Sequence, residues 1–148
     1  MGTIKLLFCT NPRNPLSWFI RACTWSDWSH VALIDGESII ESVALKGVIE
    51  SRVSDRIHKD SRWRIAELPC DDPAAVIACA RSQIGKPYDY TAVVGLGLHR
   101  VWKDADSWFC SELVAWAFAS AGLPLFRAEA LQRVTPQHLW MLPPSMAD

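Results

Sequence analysis

The sequence predicts an α+β domain, a small antiparallel sheet with helices packed on it. Three observations carry this. Strand-like runs fill the first half, and two of them flank Asp35-Gly36, a strong two-residue hairpin signal. Helical patterns with start and stop signals come later, one from Asp72 and one through Cys110. Strands followed by helices, without regular alternation, are the α+β order. The 148 residues, half of them hydrophobic, form one domain over 1–148, long enough for a real core.

Residues 3–10 read as the first strand. Asn14-Pro15 open a short helix to about Thr24, with Pro15 suited to the first helical position. The hairpin follows, and 47–53 reads as a third strand after the Gly47 turn. Ser54 to Arg62 is rich in charge and reads as a solvated connection. Trp63 to Leu68 alternates as a strand. Asp72 caps a helix with Pro73 at its first position; Val76, Ile77, Ala80 and Ile84 line the buried face, and Gly85-Lys-Pro87 stops it. Residues 90–98 are apolar and interrupted by Gly95 and Gly97, a weak helical pattern.

The chemistry concentrates in Asp106-Ser-Trp-Phe-Cys-Ser-Glu-Leu-Val114. Asp106 and Ser107 can cap a helix in which Phe109, Leu113, Trp116, Ala117 and Ser120 recur at helical spacing; Gly122 and Pro124 end it. Cys110 thus falls in the first turn, beside unpaired backbone N–H groups and the positive end of the helix dipole. Both favour a thiolate, and the same N–H groups suit an oxyanion on a substrate. The alternative is a small buried hydrophobe, the usual fate of a cysteine in an apolar run. A base is needed. The turn at Asp35-Gly36 sets His30 directly across from Glu41 on one face, with Cβ atoms about 5 Å apart. A carboxylate there can orient the imidazole and stabilise the imidazolium, completing a nucleophile–base–orienter set of Cys110, His30 and Glu41. The bland alternative is an exposed cross-strand His/Glu pair.

Other residues weigh less. His99 sits near a helix end, His58 in the charged connection and His138 in a C-terminal turn. Glu112, two helical residues beyond Cys110, points about 200° away from it. Tyr88 and Asp89 follow Pro87 in an extended turn suited to packing and turn hydrogen bonds. Of eight tryptophans, Trp25 and Trp28 flank the histidine strand and Trp108 precedes the cysteine; core packing is the ordinary role, and a stacking wall for substrate is the alternative.

Trp28-Ser-His-Val-Ala-Leu33, Glu41-Ser42, Gly47-Val48, Gly85-Lys-Pro-Tyr-Asp-Tyr90 and Trp108-Phe-Cys-Ser-Glu-Leu-Val114 together resemble the YiiX-like branch of the NlpC-type cysteine peptidase superfamily, and the similarity extends weakly to Val134-Thr-Pro-Gln-His-Leu139. The ordered set, not any one piece, carries the resemblance. It implies a circularly permuted papain-like fold in which the histidine hairpin precedes the cysteine helix, as His30, Glu41 and Cys110 do here. It also implies Cys110 as nucleophile, His30 as base, Glu41 as the third polar residue, and Tyr88 as a substrate-binding residue lining the cleft. Lecithin retinol acyltransferase and its phospholipase relatives are similar in order but carry a second histidine where this chain has Glu41, which weighs against lipid acyl transfer.

The expected activity is therefore a papain-like cysteine hydrolase acting on an amide bond, in a peptide or cell-wall stem peptide. Thioester-based acyl transfer or phospholipase chemistry on an acyl-bearing small substrate is the second reading, and a non-catalytic binding module on the same fold is the third. Net charge is −1, with 15 basic and 16 acidic residues and no long run of one sign, which gives no case for nucleic acid. Five cysteines, odd in number and without CxxC spacing, read as reduced thiols, with no zinc site and no cofactor implied. The first ten residues hold too short an apolar run for a secretory signal, and Leu6 stands where a myristoylation motif needs Ser or Thr. No stretch approaches the roughly 20 apolar residues of a membrane helix. These features give a cytoplasmic expectation; oligomeric state is not legible.

Overall fold

The computed structural model describes residues 2–11, 13–24, 26–57, 62–90 and 107–142. Among them the chain runs β1 (Gly2–Thr10), α1 (Pro15–Thr24), β2 (His30–Asp35), β3 (Ser38–Val43), β4 (Gly47–Arg52), α2 (Val53–Arg56), β5 (Arg62–Cys70), α3 (Pro73–Arg81), α4 (Cys110–Ser120), a 3-10 turn over Ala128–Arg133 and α5 (Pro136–Trp140). The strands form one antiparallel sheet in the order β4-β3-β2-β1-β5, the α+β arrangement the sequence predicts. The apolar segment from 91 to 98, along with Trp25, His58, His99 and Asp106, lies outside the described residues.

β1 is an almost unbroken apolar run because it lies inside the sheet and is covered on both faces. Ile4, Leu6 and Phe8 join Val31, Leu33, Ile40 and Val48 in the main core, against α3 and α4. Leu7, Ala32 and Ile39 form a smaller cluster on the opposite face, where Ile34 and Val53 pack.

The hairpin register differs from the predicted one. Asp35 pairs with Ser38, Ile34 with Ile39 and Leu33 with Ile40, so the turn is Gly36-Glu37. Gly36 has φ +61°, and a glycine at the first of two turn positions suits a type II′ turn, which lets Asp35 remain in the strand. The displacement is two residues. Because the side-chain period is also two, His30 and Glu41 keep a common face. Continued along the strands, this register makes them diagonal neighbours, not directly opposed ones.

Asp72 caps α3 as expected, its Oδ1 accepting from Ala75 N at 3.1 Å with Pro73 in the first turn. The helix stops at Arg81, earlier than its pattern suggests. Val76, Ile77 and Ala80 are buried, whereas Ile84 lies in the turn beyond the helix and is 42% exposed. α4 is buried over Cys110–Ala115, Ala117 and Phe118, far more than one apolar face. It is covered by β2, β3 and α3 and also by the 3-10 turn and α5, the situation in which a helix is apolar nearly all round. Ser111 Oγ donates to Val134 O at 2.6 Å, fastening its start to that C-terminal cover.

A backbone clasp sets where α4 begins. Gly85 N donates to Val48 O (3.0 Å) and Val48 N to Lys86 O (2.8 Å), while Trp108 N donates to Pro87 O (2.9 Å) and Asp89 N to Trp108 O (3.1 Å). The segment 85–89 therefore links β4 to the residues just before Cys110. Gly47 makes this approach possible: it has φ +77°, and a Cβ there would stand 2.2 Å from Lys86 O. Gly47→Ala is expected to destabilise the fold by about 2 kcal/mol or more in urea unfolding, from left-handed backbone strain plus a clash with rigid backbone. An unchanged unfolding midpoint would show that the clasp gives way without cost.

Candidate active site

Cys110 is the first residue of α4. The N-cap is Phe109, with no side-chain cap bond, so the cap expected from Asp106 or Ser107 falls too early. The first intrahelical bond is Leu113 N to Phe109 O at 3.0 Å. By helical geometry the N–H groups of Cys110 and Ser111 have no helical carbonyl one turn back. The segment is held from outside instead. Ser42 Oγ donates to Trp108 O at 2.6 Å, and Trp108 Nε1 donates to Gln83 Oε1 at 3.1 Å. Cys110 itself is 1% exposed, and its thiol faces Ser29 O at 4.0 Å.

Ser29 is the residue before His30, so the thiol sits at the mouth of β2. Ser17 on α1 anchors this point: its Oγ lies 2.5 Å from Ser29 Oγ and 3.1 Å from Thr10 Oγ1, and Ser29 N donates to Cys9 O at 3.2 Å. The buried hydroxyls fix where the strand begins and hence where His30 projects.

His30 Nε2 is 2.8 Å from Glu41 Oε1, and the Cys110 thiol faces the carbonyl of the preceding residue, Ser29. Burial works against the imidazolium, but the influence of Cys110 and Glu41 outweighs it, so the histidine is held above its ordinary 6.5. Glu41 is 2% exposed in the middle of β3. Burial alone would raise its pKa; the bond and charge of His30, together with Arg56, overcome that and lower it to about 2. Glu41 is thus a buried carboxylate that stays charged, not the exposed partner of a surface pair.

Arg56 corrects the sequence reading. The connection after Ser54 is not wholly solvated: it begins in α2, and Arg56 donates from both Nε (2.9 Å) and Nη2 to Glu41 Oε1. Nothing in a run of mixed charges distinguishes this arginine from its neighbours, so no sequence signal could have found it.

Cys9, opposite His30 on β1, also lies within electrostatic reach of Glu41, Arg56 and Cys110. Burial pushes its thiol up to about 12, which keeps it neutral. Tyr88 is buried, with its ring 6.0 Å from Phe109 and 5.0 Å from Tyr90. Its phenol is raised by burial and then by the charge of Cys110.

Of the other candidates, His138, Trp28 and Trp108 make capping and packing contacts. His138 Nδ1 accepts from Thr135 N at 3.0 Å in a capping box that starts α5. Trp28 and Trp108 are themselves buried in the main core, Trp28 in tilted ring contact with Phe8 and Trp140 and Trp108 with Trp116, so neither forms an exposed stacking wall. Among the described residues, Cys9, Cys70, Cys79 and Cys110 are free thiols, no three of His, Cys, Asp and Glu gather as metal ligands, and no helix is long and apolar enough to cross a membrane.

A thiol at a helix start, beside the strand whose first residue, His30, bonds a buried carboxylate, brings together the residue types that thiol acyl chemistry uses. No curated protein matches the chain. A family profile does, over residues 5–143, and with that span the chain belongs to the permuted papain-like amidase enzymes of the YaeF/YiiX, C92 family.

Proposed function

We propose that this cysteine amidase cleaves an amide bond in a peptide-type substrate, with a cell-wall stem peptide as the leading class, and that Cys110, His30 and Glu41 carry the reaction. The observation that supports this most is the position of His30, bonded through Nε2 at 2.8 Å to a buried carboxylate and next in the chain to Ser29, whose backbone carbonyl the Cys110 thiol faces at 4.0 Å.

In this reading His30 takes the thiol proton and the Cys110 thiolate attacks the scissile carbonyl carbon. The oxyanion that forms is held by the Cys110 backbone N–H at the positive end of α4. His30 then returns the proton to the leaving amine as the carbon–nitrogen bond breaks, leaving a thioester. Water, deprotonated by His30, hydrolyses the thioester and restores the thiol. Glu41 orients the ring and stabilises the imidazolium through both steps. Tyr88 donates a hydrogen bond to substrate; Tyr88→Phe is expected to raise KM a few-fold with little change in kcat, and an unchanged KM would return Tyr88 to packing alone.

Selective alkylation tests the nucleophile. Near neutral pH, iodoacetamide should label Cys110 before Cys9 and Cys70, both of which burial pushes up. His30→Ala should slow the Cys110 reaction roughly tenfold by removing the imidazolium that accompanies the thiolate. Peptide mapping by mass spectrometry reads both. If another cysteine is labelled first, or His30→Ala leaves the rate unchanged, the ion pair is wrong. Incubation with peptidoglycan fragments and, in parallel, with phospholipids identifies the bond: released amine and carboxylate support the amidase reading, and acyl transfer to Cys110 from lipid overturns it.

A further inference from the structure

The geometry points to Arg56 as a positioning residue, one that fixes the Glu41 carboxylate as a single charged rotamer against His30 and supplies the second positive charge that keeps the site neutral. This rests on the Cys110–His30–Glu41 reading and extends it to a residue outside that set.

Three donors converge on one oxygen. His30 Nε2, Arg56 Nε and Arg56 Nη2 all meet Glu41 Oε1. Two donors of a rigid guanidinium closing on that one oxygen pin it in place as well as balance its charge, which a single lysine ammonium does less well. The arginine is itself held. α2 starts with Val53 N donating to Glu37 O at 2.9 Å, and Val53 packs against the Leu7, Ala32 and Ile39 cluster. Arg56 is only 29% exposed at its side chain.

The ionisable groups facing this centre come from several elements. β1 contributes Cys9, β2 His30, and α2 Arg56 and Asp55. Lys46 and Asp55 line a small cavity of about 210 Å³ together with Glu41 and Arg56. Cys110 acts on His30, and Tyr88 is within electrostatic reach of Cys110. Cys9 and Tyr88 are held neutral by burial. With the thiolate formed, the inner set is two negative groups, Cys110 and Glu41, and two positive ones, His30 and Arg56. Removing Arg56 leaves a net negative charge in a buried place. Forming the thiolate then becomes harder, and so does losing the imidazolium proton, because each step removes positive charge from a site already short of it.

The test is the pH profile of Cys110 alkylation by iodoacetamide, with urea unfolding alongside, in wild type, Arg56→Ala and Arg56→Lys. Arg56→Ala should shift the acid limb upward by about 1 pH unit. Arg56→Lys keeps the charge and loses the two-pronged clamp, so its limb should stay near wild type while peptide-amide turnover falls several-fold in kcat with KM little changed. An Arg56→Ala profile that superimposes on wild type, whether or not stability falls, overturns the proposal. So does an Arg56→Lys variant that turns over at the wild-type rate. Failure of the catalytic reading is separately visible: Cys110→Ala would then retain amide hydrolysis, while the alkylation profile in wild type and Arg56→Ala would still report on the arginine.

Discussion

Replacing Cys110 by alanine should abolish amide hydrolysis, by about 10⁴-fold or more, while the protein stays folded. The side chain is small and 1% exposed, so its loss as a packing group should cost only about 1 kcal/mol. Its loss as a nucleophile leaves nothing to form the thioester, since Cys9, the next nearest thiol, is held neutral by burial near 12. His30→Ala should fall by a similar factor. The two act as a unit, and the double variant should be no slower than either single one. Product release from peptidoglycan fragments, followed by mass spectrometry, measures all three. A Cys110→Ala protein that still turns over at a substantial fraction of the wild-type rate would remove the thiol from the mechanism.

Glu41 should show the second largest effect, in both activity and stability. Glu41→Ala deletes a buried acceptor of three hydrogen bonds and leaves Arg56 without its counter-charge; a cost of about 2–4 kcal/mol follows, moderated because Arg56 can turn toward water. Turnover should drop by about 10²-fold or more as the imidazole loses its orienting partner. Glu41→Gln should retain more activity than Glu41→Ala, because an amide oxygen still accepts from His30 Nε2. The pH dependence adds a sharper signature. The Glu41 carboxyl is depressed in the fold from 4.5 to about 2, so its stabilisation is present above 4.5 and is lost as pH falls toward 2. That loss is about 3 kcal/mol. His30 is raised above 6.5, so its share is present below 6.5 and is lost as pH rises through the folded value. Wild type should therefore be steadiest in mildly acidic solution. In Glu41→Gln the stability decline between pH 4.5 and 2 should flatten. Urea unfolding at stepped pH reads this, and parallel curves for the two proteins would place the acid sensitivity elsewhere.

Much of the architecture was legible from local patterns. The hairpin, the capped helix after Asp72 and the helix bearing Cys110 each rest on signals confined to a dozen residues, and the α+β order follows from them. The ordered motifs between Trp28 and Leu139 were enough to indicate the permuted papain-like family. The hairpin register was mis-set by two residues because Asp-Gly is a good turn pair, but here Gly36 takes the first turn position and Glu37 the second. The common face of His30 and Glu41 survived that error, since a two-residue slip preserves it. Ile84 was misplaced because the helix ends at Arg81, before reaching it. The cysteine helix is buried beyond the residues at helical spacing because periodicity reports one face and cannot count how many neighbours will cover the others.

Local sequence, then, carried the candidate nucleophile, base and carboxylate and the order in which they occur along the chain. Whether they meet depended on contacts between segments far apart. Cys110 faces Ser29 across 81 positions, Ser42 holds Trp108 across 66, and Gly47 admits the Lys86 backbone that leads to both Tyr88 and Trp108. Arg56 is the plainest case. In sequence it is one charge among several in a polar stretch; in the fold, burial of Glu41 under α2 turns it into the partner of a carboxylate that water no longer reaches. Desolvation, which wins at Cys9, and the buried partners that overcome it at His30 and Glu41 are properties of the packed structure, and no spacing of residues encodes their balance.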